Sequence, residues 1–423
     1  MFFWQIFKLH FMNKPQLLSL DDGLSQLLAQ ALPLEDTEMV SSFDADARVL
    51  AEDLVSELDV PAFNNSAMDG YAFCFDDFKA SAGVLEHGQR IPAGHFPDAM
   101  KAGHADRIFT GAPLPQGADT VVMQEECELL SDGRVKINSQ PVKGQCVRMR
   151  GEDISCGQKV LQRGHRLTPA SLGLAASLGL AELPVVRRPR VALFSTGDEL
   201  IMPGTVKPAD LPPGSIFNSN RFFLKALLER LGCVVTDAGI LADELSDTRA
   251  AFALAAKTHD LLLTSGGVSV GEEDHVKPAI QSLGELQLWA LAIKPGKPFA
   301  YGRIQQDQDK PVHFIGLPGN PVSSLVTFIV LVRPFVLSLQ AATQTALESF
   351  SMRADFAWSK ADKRREFLRV KRNPSGGLDL FDNQSSGVLT SAVWGDGLID
   401  NLPGQTIKPG DMVSYLPFIS SIS

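Results

Sequence analysis

The feature that most constrains the fold is a change of pattern that begins at Val191 and continues to Leu339. Over this stretch, short apolar runs alternate with segments whose apolar residues recur at the spacing of a helix face. The predicted strands occupy residues 191–195, 233–241, 260–265, 289–294 and 311–316, and the predicted helices occupy residues 220–231, 247–257, 274–283 and 322–339. Apolar strands separated by amphipathic helices indicate a mostly parallel sheet with helices on both faces. The sequence therefore predicts a central doubly wound α/β domain.

The part of the chain before this stretch predicts two further domains. Residues 16–59 and 151–188 have apolar positions at helical spacing, including residues 43–56, and we expect them to form one discontinuous helical domain. Between these two pieces, residues 60–150 contain short alternating stretches separated by Gly and Pro turns. That pattern is typical of a β-rich domain, which is thus inserted into the helical one.

The α/β domain is expected to cover residues 189–342, and a last domain follows it at residues 343–423. The tail loses the helical period and has strand-like pieces between Gly-rich turns, which indicates a small β-barrel or sandwich. We adopt the barrel as the prediction. A chain of 423 residues has room for this multidomain α/β architecture, because domains usually contain about 100–200 residues.

The charge and the cysteines limit the partners and the location. Lys and Arg number 39 against 49 Asp and Glu, which gives a formal net charge of -10. A surface with net negative charge repels the phosphate backbone of nucleic acids, so no nucleic-acid partner is expected. The five cysteines include no CxxC pair, so they predict neither a disulfide framework nor a zinc site. This usage indicates a reduced, cytoplasmic location.

No membrane partner is expected either. Residues 1–15 are predicted to be an N-terminal extension, and residues 1–11 lack the basic region and the small-residue cleavage site of a signal peptide. The apolar stretch at residues 325–332 is far shorter than the roughly 20 residues that span a bilayer. We therefore predict a soluble protein in which this stretch is a buried helix.

An unusual loop follows each of four predicted strands. The loops are TGDEL at 196–200, GGVSVGEEDH at 266–275, KPGKP at 294–298 and LPGNP at 317–321. Because ligands of open α/β sheets bind beyond the carboxyl ends of the strands, we expect these loops to converge on one rim. Gly266, Gly267 and Gly271 would let backbone amides approach an anion closely. The alternative is that these glycines only satisfy tight turns.

Charged side chains are expected at the same rim. Lys294 and Lys297 flank a Pro-Gly turn, which would hold both ammonium groups toward an oxyanion; an exposed, solvated lysine pair is the alternative. Glu199, Asp243 and Asp274 supply carboxylates at three strand ends, and hard oxygen ligands beside a phosphate favour Mg²⁺. Asp243 is equally consistent with a helix cap. The eight histidines show no metal-ligand spacing and are expected to be structural or exposed.

The inserted domain carries three polar turns that lie far from the sheet in sequence. They are NNSAMDGYA at 64–72, the segment 108–126 that begins IFTGAPLP, and RMRGEDI at 148–154. Their Asn, Ser, Asp, Thr and Gly residues suit the second face of a cleft, formed by the same chain or by a partner subunit. Considered singly, each is only a polar turn.

The ordered motifs NNSAMDGYA, TGAPLP, RGEDI, STGDEL, GGVSVGEEDH, KPGKP and LPGNPVS resemble those of the MoeA family of molybdopterin molybdenumtransferases, which is related to the E domain of gephyrin. The resemblance extends from about Leu17 to Pro417. It implies that adenylylated molybdopterin and molybdate react, with Mg²⁺, to give molybdenum cofactor, AMP and water. It also implies an elongated homodimer, joined through the helical domain, whose active-site clefts are built from both subunits. A molybdopterin adenylyltransferase is the partner that would supply the intermediate.

The resemblance further implies roles for individual residues. The expected catalytic residues are Asp69, Thr110, Asp153, Glu199, Lys294 and Lys297, and the expected magnesium ligands are Asp243 and Asp274. The expected substrate-binding residues are Gly266, Gly267, Ser269, Gly271, Pro318, Pro321, Ser323, Arg364 and Ser385. The molybdate pocket is expected to combine the catalytic Lys294 and Lys297 with the substrate-binding Ser323, and with Arg364 and Ser385 of the tail.

Two other functions agree with parts of the sequence. A molybdopterin adenylyltransferase shares the GGxSxGxxD loop, but such enzymes typically lack the inserted β domain and the β tail that are predicted here. A non-catalytic dimeric scaffold would be free to lose the carboxylates and lysines of the rim. All of them are present in this chain.

Overall fold

The first part of the chain contains one helix and two short strands. The computed structural model describes residues 17–241, 244–268, 275–305 and 312–421. The first elements are α1 (Leu20–Leu28), β1 (Thr37–Ser41) and β2 (Leu54–Val55). Helix α1 begins where the hydroxyl of Ser19 accepts a hydrogen bond from the backbone N–H of Asp22, at 3.1 Å. Its buried side chains Leu20 and Leu27 pack into the core of the α/β domain.

The inserted domain is β-rich, as predicted. Its elements are β3 (Asn65–Ser66), β4 (Gly70–Phe73), α2 (Phe75–Ala80), β5 (Val84–Ile91), β6 (His104–Ile108), β7 (Thr120–Met123), β8 (Cys127–Leu129), β9 (Val135–Ile137) and β10 (Val147–Arg148). Six of the strands form one sheet in the order β7-β4-β6-β5-β9-β8. One face of this sheet is covered by α2, whose Phe78 packs against Phe73, Leu85 and Val122.

The chain then returns to the first part. The elements of the return are β11 (Lys159–Leu161), α3 (Pro169–Ser177) and β12 (Glu182–Val186). Strand β1 pairs with β12 and β2 pairs with β11, so the two separated pieces share one apolar core. The helix predicted at residues 43–56 is wrong. The Leu50 N–H there donates to the His165 carbonyl at 3.0 Å, and long-range pairing of this kind overrides the local apolar spacing.

The α/β domain has the predicted mostly parallel sheet. Its elements are β13 (Arg190–Thr196), β14 (Leu200–Ile201), β15 (Ile216–Phe217), α4 (Asn220–Arg230), β16 (Val234–Leu241), α5 (Leu245–Ala256), β17 (Leu261–Ser265), α6 (Val276–Leu283), β18 (Gly284–Ala290), β19 (Ile293–Lys294), β20 (Pro298–Ile304), β21 (Val312–Leu317), α7 (Pro321–Thr327) and α8 (Arg333–Leu339). The strand order is β16-β13-β17-β21-β20-β18, and the first four strands are parallel. Strand β20, which the sequence pattern did not reveal, is antiparallel to both β21 and β18.

One helix of this domain has the length and apolar composition of a membrane span. Helices α7 and α8 are joined through the π-helical segment Phe328–Val332 into a continuous helix of 19 residues, Pro321–Leu339, and 94% of its apolar window is buried inside the protein. Its side chains pack with strands of the sheet and with α1 in the largest core of the molecule. The helix is therefore the buried element predicted at residues 325–332, and its bounds agree to within one residue with the helix predicted at residues 322–339.

The tail forms the predicted barrel. Its elements are β22 (Phe350–Ala354), β23 (Arg365–Arg372), β24 (Gly377–Leu380), α9 (Thr390–Trp394), β25 (Gly397–Asn401), β26 (Met412–Pro417) and α10 (Phe418–Ser421). Five strands pair in the cyclic order β23-β24-β22-β26-β25 and close on β23. The short strand β19 of the α/β domain adds to β23 in parallel, so the KPGKP turn starts directly beside the barrel.

Candidate active site

A cleft of about 370 Å³ lies beyond the carboxyl ends of β13, β17 and β21. Strand β18 runs in the same direction as β21, because both are antiparallel to β20, so the KPGKP connection from β18 to β20 lies at the same rim. The residues that border the cleft include Thr196, Glu199, Asn220, Ser265, Pro298, Pro318, Pro321 and Ser323. The cleft thus brings together Glu199, Pro318, Pro321 and Ser323, all of which were expected at the site.

Several buried polar atoms around the cleft have no protein partner. Within the described part of the chain, Thr196 Oγ1, Asn218 Nδ2 and Asn220 Oδ1 make no hydrogen bond. Such groups are uncommon in folded proteins, because burying them without a partner costs about 1–3 kcal/mol each. Unpartnered polar atoms at the wall of a cleft suit a polar ligand or ordered water.

The glycines after β17 are required by close packing. Gly266 and Gly267 have φ values of +94° and +68°, in the left-handed region that favours glycine. A Cβ on Gly266 would lie 2.7 Å from the carbonyl oxygen of Thr196, and a Cβ on Gly267 would overlap Val276 Cγ2. The tight-turn explanation therefore holds for these two positions, and it is compatible with a close approach of ligand to their backbone. Ser269 and Gly271 lie outside the described residues.

Asn220 holds two of the rim loops together, and the sequence analysis did not identify it. Its side-chain Nδ2 donates to Ser265 Oγ at 2.8 Å and to the Gly319 carbonyl at 2.7 Å. These bonds join the start of α4 to the end of β17 and to the LPGNP loop. A buried Asn at the first position of a helix could have suggested this role, but its partners lie 45 and 99 residues away.

The KPGKP turn directs its two lysines into different environments. Lys294 Nζ donates to Glu366 Oε1 at 2.9 Å and lies 3.4 Å from Asp362 Oδ2, so its ammonium is paired with carboxylates of the barrel domain. The Lys297 side chain is exposed, and the hydrogen bonds and ion pairs found among the described residues do not include it. The turn rests on α7, because a Cβ on Gly296 would lie 2.5 Å from Thr327 Oγ1.

The two residues of the tail that were expected at the site both lie next to the rim. Arg364 binds Asp362 through two bonds, Nε to Oδ1 at 3.0 Å and Nη2 to Oδ2 at 2.8 Å, and so joins the group around Lys294. Ser385 belongs to a loop whose next residue, Ser386, accepts a hydrogen bond from the Val322 N–H at 2.9 Å. The loop of Ser385 thus touches the start of α7.

The three polar turns of the inserted domain also converge. Thr110 donates to Asp69 Oδ1 through its backbone N–H and its hydroxyl, and these bonds lower the pKa of the Asp69 carboxyl. The Arg150 N–H donates to Asn64 Oδ1 at 2.7 Å, and the Asp153 N–H donates to the Val60 carbonyl at 3.0 Å. The expected residues Asp69, Thr110 and Asp153 thus lie on neighbouring turns.

The turns of the inserted domain make no polar bond to the part of the rim that the structure describes. Over residues 17–241, 244–268, 275–305 and 312–421, no hydrogen bond or ion pair joins residues 60–150 to the α/β domain or the barrel. The same range contains no group of three His, Cys, Asp or Glu placed to hold a metal ion. The expected magnesium ligands Asp243 and Asp274 lie outside it.

Comparison with known proteins agrees with this architecture segment by segment. Residues 18–179 match the MoeA N-terminal region (domain I and II), residues 192–338 match a probable molybdopterin binding domain, and residues 351–418 match the MoeA C-terminal region (domain IV). A molybdopterin molybdenumtransferase of Haemophilus influenzae is 42% identical over 354 residues, which are 84% of this chain and 85% of the relative. The chain belongs to the MoeA family of molybdopterin molybdenumtransferases.

Other MoeA relatives extend the likeness in sequence and in structure. A molybdopterin molybdenumtransferase of Nostoc sp. is 38% identical over 311 residues, which cover 72% of this chain and 70% of the relative. A crystal structure of the molybdopterin biosynthesis MoeA protein from Pyrococcus horikoshii OT3 has a TM-score of 0.81 at 26% identity, over 95% of this chain and all of that one. A second Pyrococcus structure has a TM-score of 0.74 at 29% identity, over 95% of this chain and 99% of that one. The multidomain fold of MoeA proteins is therefore present over nearly the whole chain.

Proposed function

We propose that this chain inserts molybdenum from molybdate into adenylylated molybdopterin and releases AMP, as the last step of molybdenum cofactor biosynthesis. The observation that carries the proposal is the cleft at the rim, where three motif loops meet beside the lysine-bearing KPGKP turn. The names of the curated relatives support the molybdopterin and molybdenum chemistry. An adenylyltransferase is disfavoured, because the inserted domain and the barrel are both present.

Release of AMP requires that negative charge on phosphate and molybdate oxygens be neutralised. Lys297 is exposed near the cleft entrance, since the next residue, Pro298, borders the cleft. Ser323 lies at the start of α7 in the same cleft and can donate a hydrogen bond to an oxygen. Preorganised donors of this kind stabilise charge that develops in the transition state. We propose that an oxygen of molybdate held here attacks the adenylyl phosphorus, or directs attack on it, so that the phosphoanhydride bond breaks and AMP leaves. The dithiolene sulfurs then bind molybdenum, and the displaced molybdate oxygen leaves as water with the protons of the dithiol.

Magnesium is part of the proposal, and the residues at the cleft fit it. The Glu199 carboxylate and the unpartnered Thr196 hydroxyl both border the cleft, and oxygen donors of this kind are the ligands that Mg²⁺ prefers. Asp243 and Asp274 would complete the ligand set. Bound magnesium would supply charge neutralisation at the phosphate oxygens. The side chains of the cleft would hold the substrate phosphates next to that ion.

We also propose that the chain acts as a homodimer. The turns that carry Asp69, Thr110 and Asp153 are polar and exposed, and they make no hydrogen bond to the described residues of the rim of their own chain. A partner subunit can place its inserted domain over that rim. Phe43 is 98% exposed, and an aromatic side chain of that exposure suits a surface covered by another subunit. All five cysteines are free thiols, which supports a reducing, cytoplasmic setting.

The test is release of AMP from adenylylated molybdopterin by the purified full-length chain. We expect release that requires both Mg²⁺ and molybdate. Asp274→Ala should abolish the Mg²⁺-dependent release without loss of folding, whereas Asp132→Ala, a change in an exposed hairpin, should leave release unaltered. Release that is indifferent to molybdate would disprove the transfer reaction. Unchanged turnover by Asp274→Ala would remove the magnesium assignment alone.

A further inference from the structure

Four charged side chains form one cluster where the KPGKP turn meets the barrel. Lys294 Nζ is 2.9 Å from Glu366 Oε1 and 3.4 Å from Asp362 Oδ2. Arg364 holds the same Asp362 carboxylate through two bonds, at 2.8 and 3.0 Å. Asp362 therefore lies between an ammonium and a guanidinium, with one oxygen directed at both.

The cluster is balanced in charge. The two cations, Lys294 and Arg364, face two carboxylates, Asp362 and Glu366, so the formal sum is zero. A neutral cluster gives an incoming oxyanion no net electrostatic attraction. One of the carboxylates must therefore leave before these two cations can bind an anion.

Glu366 is fixed in place. It belongs to strand β23, its side chain is 1% exposed, and its Oε2 accepts hydrogen bonds from Trp358 Nε1 at 2.9 Å and Asn401 Nδ2 at 3.4 Å. Moving this carboxylate, which is almost fully buried, would break three hydrogen bonds. Its task is to orient the Lys294 ammonium.

Asp362 is the more accessible of the two carboxylates. Its side chain is 20% exposed, against 1% for Glu366, although its Oδ1 also accepts the backbone N–H of Arg364 at 3.0 Å. Its backbone carbonyl accepts the Gly404 N–H at 2.7 Å, so the side chain would rotate away while the main chain stays in place. Neighbouring cations lower the pKa of its carboxyl, Arg364 most strongly, so it is ionised at neutral pH. Water can replace the bonds that it would lose.

We propose that Asp362 is an internal competitor for the oxyanion substrate: its carboxylate occupies the pair formed by Lys294 and Arg364 until a tetrahedral dianion displaces it. The inference rests on the proposed function for the identity of that anion. With Asp362 withdrawn, Lys294, Arg364 and Glu366 sum to one positive charge. A dianion carries one more negative charge than the Asp362 carboxylate, so it is attracted more strongly to these cations. A monoanion gains no charge over the carboxylate that it would displace.

The experiment is calorimetric titration of molybdate into the full-length chain at fixed ionic strength. Asp362→Asn removes the competing charge but keeps an oxygen that can accept the Arg364 N–H, which now donates to Asp362 Oδ1 at 3.0 Å. We expect Asp362→Asn to bind molybdate about tenfold more tightly than the unaltered chain, because a competing charge-assisted pair is lost. Asp355→Asn is the matched control, since Asp355 forms a similar pair with Arg353 elsewhere in the barrel. It should bind molybdate as the unaltered chain does.

Equal or weaker binding by Asp362→Asn would overturn the inference. The inference would also be overturned if the double variant Asp362→Asn, Arg364→Gln still bound molybdate more tightly than the unaltered chain. Asp362 would then not be competing for the Arg364 guanidinium. If Asp362→Asn fails to fold, Asp362→Ser, which also retains an oxygen acceptor, takes its place. Release of AMP, measured on the same samples, separates the two claims. If AMP release depends on molybdate but Asp362→Asn binds molybdate no more tightly, only the competitor role of Asp362 is refuted. If Asp362→Asn binds molybdate more tightly but AMP release does not depend on molybdate, only the proposed reaction is refuted.

Discussion

Thr110 donates two hydrogen bonds to one oxygen of Asp69, each 2.8 Å long, although the residues are 41 positions apart. One bond comes from the backbone N–H and the other from the hydroxyl. Together they lower the pKa of the Asp69 carboxyl, and the positive charge of Arg107 adds to the effect. The pair therefore presents an ionised carboxylate in a fixed orientation on the exposed turns of the inserted domain.

The Thr110 hydroxyl should matter for turnover. Thr110→Val removes one of the two donors, so we expect the pKa of Asp69 to rise and AMP release to fall about tenfold. Thr110→Ser keeps the hydroxyl and should retain most of the activity. The measurements are the rate of AMP release and the titration of the Asp69 carboxyl by NMR. Full activity in the Val variant would show that this orientation is not needed.

Gly267 should tolerate no side chain. Gly267→Ala forces Ala to a φ of +68° and drives its Cβ into Val276 Cγ2, so we expect a loss of about 2–4 kcal/mol in the free energy of unfolding. Gly214→Ala is the matched control, because Gly214 has a φ of +84° and open space around its Cβ position. It should cost only about 1 kcal/mol. Urea unfolding measures both, and equal losses would contradict the packing argument.

His313 should make stability fall in acid. Burial lowers the pKa of His313 to about 4, and its Nδ1 forms a hydrogen bond of 2.9 Å with the Tyr301 hydroxyl. The folded pKa is below the ordinary value of about 6.5, so the unfolded chain binds more protons between pH 6.5 and 4. The contribution of His313 to the free energy of unfolding is therefore fully present above pH 6.5. It is lost progressively as the pH falls to 4, and the loss reaches roughly 3 kcal/mol.

The variant His313→Gln should flatten that part of the stability profile, since it cannot titrate. His95→Gln, a change at an exposed histidine, should leave the profile as it is. Urea unfolding at several pH values between 4 and 7 measures the slope. An unaltered slope in His313→Gln would assign the acid sensitivity to other groups.

Lys297 should set the molybdate requirement. Lys297→Ala removes an exposed ammonium beside the cleft, so we expect the KM for molybdate to rise about tenfold and kcat to fall by a smaller factor. Lys257→Ala is the control, because Lys257 caps the far end of α5, away from the carboxyl ends of the strands. Steady-state AMP release at varied molybdate is the measurement. A molybdate dependence that does not change would place the oxyanion elsewhere.

Local patterns were sufficient for much of the architecture. Alternating apolar strands and amphipathic helices predicted the parallel sheet, because a strand buried on both faces must be apolar throughout. Gly and Pro turns after the strands predicted the rim where Glu199, Pro318 and Ser323 meet. The same local patterns wrongly predicted a helix at residues 43–56 and did not predict strand β20. At residues 43–56, pairing with distant backbone overrode the local apolar spacing. Strand β20 pairs with β18 and β21, which are close to it in sequence, so it was overlooked although its partners are local.

The chemistry of individual side chains depended on the tertiary structure. The sequence placed Lys294 at the rim, but its pairing with Glu366, 72 residues away, follows from the parallel contact of β19 with β23. Asn220 became a link between loops only because α4 begins beside the end of β17. Sequence spacing fixes which side chains share a strand or a turn. Which charges neutralise each other is decided by the packing of the barrel against the sheet, because an ion pair depends on a separation of a few ångströms in space.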